Sequence, residues 1–121
     1  MTTSEILRQA AVEVRKGWCR YVLEDDDRNV CANGALARIC FGCATEALNV
    51  KHRNYIHFRA AQGVIGEVLG LGDAPAFAIP VWNNATRQTQ ENVATTLEYA
   101  AMLWDQQQAA VLAETPEGEP A

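Results

Sequence analysis

Four cysteines and two histidines are the residues of this chain best equipped for chemistry. Cys40-Phe41-Gly42-Cys43 sets two thiols at the spacing of a metal knuckle or a redox dithiol. With Cys19 and Cys31 upstream, four thiolates are available to zinc, but a structural zinc site joins two close pairs and only one close pair is present. On a helix, Cys40 and Cys43 share an apolar stripe with Leu36, Ile39 and Ala47, where a reduced cysteine packs as a small hydrophobe. The expectation is core cysteines, with no metal and no other cofactor. A Cys/His pair for nucleophilic catalysis would need His52 or His57 beside one thiol, and no spacing selects a pair. Asp25-Asp26-Asp27 lacks the alternating carboxylates and the glycine that wrap calcium, so it reads as a solvated turn. No catalytic residue is assigned, and the chain is expected not to be an enzyme; a small enzyme without a recognisable motif stands as the third reading.

Two segments could bind rather than react. Lys51, Arg53 and Arg59, with Tyr55 among them, form a basic stretch in which cations could grip phosphates and the ring could stack on a base. The same residues also fit a solvated helix start whose Phe58 faces the core. Trp82-Asn83-Asn84, with Arg87 nearby, offers an indole, two amides and a guanidinium, the side chains that anchor protein interfaces. Its structural alternative is a packed Trp82 whose neighbouring amides satisfy the backbone of turns and helix starts.

These residues must be positioned by helices. Alanine-rich composition with 49% apolar residues favours closely packed helices over sheet. A first helix is predicted over 3–16, opened by the Thr2-x-x-Glu5 capping box and closed by a left-handed Gly17, with Ile6, Leu7, Ala10, Ala11 and Val14 on one stripe. Residues 18–32 suggest a short β-hairpin around the polar 24–29 turn. A second helix runs from about 33 to 49, its contact face made of small residues. A third runs from 54 to 69, where Gly63 and Gly66 suggest that another backbone packs tightly. The proline-broken run from Pro75 to Trp82 reads as an extended, half-buried connector anchored by Trp82. The last helix starts at an N-cap Thr89 and carries Val93, Leu97, Ala100, Ala101 and Trp104 inward to about residue 112. The fold class is mainly α: about four helices in one domain over 1–112, with a disordered acidic tail over 113–121.

Three pieces in this order, Gly17-Trp18, Cys31-x-x-Gly34-Ala35-Leu36, and Ile79-Pro80-x-Trp82-Asn83-Asn84 followed by Thr89-x-Glu91-x-Val93, resemble a family of small uncharacterised proteins of actinobacteria and their phages. The likeness spans about residues 5–104. Asn84 stands where that family usually has aspartate, and Gln88 where it has arginine, with Arg87 one residue earlier. A family charge pair therefore does not carry over to these positions. The resemblance implies an origin and a fold, and no activity.

Fifteen acidic against ten basic residues give a net charge of −5, whose field repels phosphate and anionic lipid. Charges interrupt the N-terminal apolar positions, which leaves neither a secretory core nor a membrane span there. The expected role is a cytoplasmic, phage or actinobacterial domain that works by contact with a host protein or with itself. The alternative is a nucleic-acid-binding regulator using residues 51–59, and no membrane association is expected.

Overall fold

Alanine at the contact positions lets these helices approach closely, and Ala10, Ala11, Ala35, Ala61, Ala94, Ala100 and Ala101 are fully buried. The computed structural model describes residues 1–47, 49–72 and 75–114. Among the described residues there are five α-helices: α1 Thr3–Lys16, α2 Ala32–Phe41, α3 Tyr55–Leu69, α4 Pro75–Asn83 and α5 Gln90–Glu114. A 3-10 turn, Ala44–Glu46, follows α2. α1 lies against α5 and α2, while α3 bridges to α4, α2 and α5. Side chains from all five helices share one core.

α1 forms as its residues dictate. Glu5 N–H donates to the Thr2 hydroxyl and the Glu5 carboxylate takes the Thr2 N–H, the reciprocal capping box. Its whole predicted stripe is buried. Along the seam with α5, Arg15 pairs with Glu91 at 2.8 Å and Glu98 at 2.6 Å, and Arg8 pairs with Asp105 at 2.6 Å. These exposed pairs orient the two helices and add little stability. The α5 start is also as expected, with the Asn92 N–H donating to the Thr89 hydroxyl at 3.1 Å. α5 extends two residues past 112, to Glu114. The tail expected beyond that lies outside the described residues.

Elsewhere the structure corrects the sequence reading. Gly17 does end α1, but with φ at 177°, which is extended backbone rather than a left-handed cap. A Cβ there would collide with the Asn29 side chain, so close approach is what selects glycine. α2 stops at Phe41, well before 49, because Gly42 at φ 79° forms a left-handed C-cap whose N–H donates to the Arg38 carbonyl. The stretch expected to be an extended connector is α4, which raises the helix count from four to five. Pro75 occupies the first helical position, where no N–H is needed. Pro80 forfeits only one bond within that short helix.

The β-hairpin is also absent. Among the described residues, β pairing is limited to isolated bridges from Val30 to Trp18 and to Glu24. Val30 N–H donates to the Gly17 carbonyl and its own carbonyl takes the Cys19 N–H, so a ladder is replaced by one shared residue. Tyr21 at φ 72° breaks the extended run, and Asp25 closes the polar turn by accepting the Asp27 and Asn29 N–H groups. Residues 18–31 thus form a folded loop over α2.

Gly63 and Gly66 differ in a testable way. A Cβ on Gly66 would stand 2.9 Å from the Pro75 side chain, the tight packing expected there, whereas one on Gly63 meets nothing within 4 Å. Gly63→Ala is therefore expected to raise stability by about 0.5–1 kcal/mol through helix propensity alone. Urea unfolding of the variant checks this, and a loss would show an unrecognised contact.

Candidate functional site

The site is organised by Asn83, the last residue of α4, which is fully buried. Its Oδ1 accepts the Trp18 indole N–H at 2.9 Å and the Ala32 N–H at 3.0 Å; its Nδ2 donates to the Cys19 carbonyl at 3.2 Å and to Asn84 Oδ1 at 3.1 Å. Asn84 Oδ1 in turn accepts the Tyr21 N–H at 2.9 Å. One carboxamide thus joins the end of α4, the first turn of α2 and the loop. Arg20 completes the tie: it stacks over Trp18 at 4.6 Å from the ring centroid and donates to the Gln88 carbonyl.

The consequence of this tie is an outward display. α4 turns Ile79 and Asn83 inward and leaves Phe77 and Val81, one turn apart, 81% and 74% exposed. Tyr21 and Val22 at the loop tip are exposed as well. Between loop and helix lie two clefts, of about 210 and 310 Å³, that share Leu23, Asn33 and Pro80 as walls. Of the four residues singled out for binding, Asn83 is buried in the hub. Trp82 and Asn84 are half-buried beside it, and Arg87 is exposed on the following turn.

The basic segment divides. Lys51 and Arg53 stand exposed before α3, whereas Tyr55 and Arg59 line the larger cleft. The Tyr55 ring is committed in part to Phe58, with centroids 6.2 Å apart. His52 packs on Phe41 at 4.8 Å, and its Nδ1 accepts the Asn54 N–H.

The sequence carrying this site matches one family model. The model, described as a family of unknown function (DUF6197), matches residues 1–103. The chain belongs to that family. The DUF6197 match takes in α1 to α4, the loop, the Asn83 hub, both clefts and most of α5. No curated protein and no solved structure matches the chain.

The thiols of this DUF6197 member are dispersed. All four are free, and among the described residues no three His, Cys, Asp or Glu side chains gather as a metal site. Cys40 is buried on α2 as expected. Cys43 lies beyond the Gly42 cap and is exposed, which corrects its placement on the apolar stripe. Cys40 and His57 do line a cavity of about 140 Å³, where desolvation pushes the Cys40 thiol up to about 11. Cys31 has a role that the sequence reading missed: its sulfur caps α2 by accepting the Gly34 N–H at 3.3 Å. Burial raises its pKa despite that bond, and burial with nearby Cys31 and Asp25 pushes Cys19 up to about 11. In the native protein at about pH 7.5, iodoacetamide is expected to label Cys43 first and Cys31 and Cys40 only after unfolding. Peptide mass mapping over time gives the order; early labelling of Cys31 would mean that the loop opens freely.

Proposed function

We propose that this chain is a protein-binding module whose contact surface is the outer face of α4 together with the loop tip. The observation that carries the reading is the exposure of Phe77 and Val81 on a helix whose last residue, Asn83, is tied by hydrogen bonds to Trp18 and to the first turn of α2. Fully burying such side chains is worth about 1.5–3 kcal/mol each, so a partner gains by covering them. Tyr21 and Val22 widen the apolar area, and Arg87 lies on the turn beyond α4. The partner that fits is a protein with an apolar pocket able to take two side chains one helical turn apart. Such contact suits a cytoplasmic domain of phage or actinobacterial origin that modulates a host protein.

A photo-crosslinking side chain installed at 77 or 81 tests this, with position 12 on the exposed face of α1 as control. The expected result is a discrete protein adduct from 77 and 81, absent from 12. Excess wild-type chain should compete it away, and the Phe77→Ser/Val81→Ser double variant should not. An adduct of twice the chain mass would make the partner a second copy. Equal labelling from all three positions, or none, would overturn the reading.

A further inference from the structure

We propose that the larger cleft, between α3, α4 and the 18–31 loop, is a binding site for a small planar ligand with a carboxamide edge, an N–H donor beside a carbonyl acceptor. Besides Tyr55 and Arg59, its wall carries a pair of buried side-chain amides. Gln62, in the middle of α3, is 2% exposed and donates through Nε2 to Asn33 Oδ1 at 3.0 Å. Its Oε1 is buried and has no partner among the described residues. Asn33, on the first turn of α2, is 7% exposed and spends its oxygen on Gln62, so its Nδ2 is left to donate.

An unsatisfied amide oxygen in a core carries a desolvation cost that leucine at the same helical position would avoid. A ligand amide removes it once the Gln62 carboxamide turns its oxygen toward the cleft: the ligand N–H then donates to Oε1 while its carbonyl takes the Asn33 N–H. The surroundings select a flat apolar body for that amide: Leu23, Phe58, Phe77 and Pro80 line the same cleft. At about 310 Å³ the space is larger than one water needs and suits a single aromatic ring with room to spare. The cleft shares Phe77 with the surface proposed for a protein partner, but this inference rests on the amide pair, which is buried where Phe77 is exposed.

Benzamide is the probe, titrated into the full ¹⁵N-labelled chain, with benzoate as the control that keeps the ring and removes the N–H donor. Benzamide is expected to bind at one site with about millimolar affinity, the scale for so small a ligand, and to move the side-chain NH₂ signals of Gln62 and Asn33. Benzoate should bind at least tenfold more weakly, even with Arg59 at the cleft. Gln62→Met, which removes the acceptor, should weaken benzamide at least tenfold. Ala76→Leu fills the cleft from its α4 wall while keeping both amides in the chain and should do the same, which keeps the test decisive if Gln62→Met does not fold. Unmoved Gln62 and Asn33 signals, equal binding of benzoate, or full binding by Ala76→Leu would each overturn the assignment.

Discussion

Asn83→Ala is expected to be the most damaging single truncation of a polar side chain in this protein, lowering stability by roughly 3–4 kcal/mol. The arithmetic follows from what it leaves behind. The Ala32 N–H, in a residue with no exposure, loses its acceptor outright; in half-buried settings the Trp18 indole N–H loses its acceptor and the Cys19 carbonyl loses its donor. A fully buried orphan costs about 1–3 kcal/mol, and partly solvated ones cost less. Asn84→Ala offers the comparison, because it frees only the exposed Tyr21 N–H and the second amide contact, and about 1 kcal/mol is expected. Urea unfolding followed by tryptophan fluorescence measures both. If Asn83→Ala lost no more than Asn84→Ala, the loop would be held by something other than the hub. If it lost the expected amount, the display of Phe77 and Val81 would be shown to rest on one buried carboxamide.

How far this could be read beforehand depended on whether the forces were local. The bounds of α1 were legible because its cap and stripe lie within one segment, whereas the reason for glycine at its end was not, since Asn29 supplies it from outside. The start of α5 was legible for the same reason, since Thr89 caps its own helix. The end of α2 was misplaced because small residues continue the helical pattern through Ala47, and the pattern does not reveal that Gly42 takes the left-handed cap. α4 was hidden by its prolines, which argue against a helix until Pro75 is seen to begin one. The loop misled most. Its aromatic and β-branched residues suit a strand, but its Tyr21 N–H and Cys19 carbonyl are satisfied by Asn84 and Asn83, more than sixty positions away. The amides of Trp82-Asn83-Asn84 were read in kind, as partners for turns and helix starts, without a way to say which ones. Lys51, Arg53, Tyr55 and Arg59 form one patch in sequence; the fold sends Tyr55 and Arg59 to the cleft, beside the Gln62 and Asn33 amides that no motif marked.

Gly34→Ala is the second large effect expected, and its sign opposes simple helix propensity. Gly34 sits inside the first turns of α2, where alanine is intrinsically preferred by about 1 kcal/mol. A Cβ at this position would overlap the Leu23 carbonyl oxygen and stand 2.8 Å from the carbonyl carbon. The obstacle is backbone, so no rotamer change relieves it. Leu23 cannot withdraw cheaply either, because its carbonyl accepts the Cys31 N–H at 3.2 Å just where α2 is capped. Moving the loop would strain that bond together with those from Asn83 and Asn84. A net loss of roughly 3 kcal/mol is expected, a fall in Tm of about 10–15 °C for a domain of this size. Set beside Gly63→Ala, the same chemical change in another helix of the same protein, the measurement separates propensity from packing. Opposite signs mean that the loop is locked onto α2 by direct backbone contact. A neutral or stabilising Gly34→Ala would mean that the loop yields at little cost, and the cleft it walls would then be a mobile one.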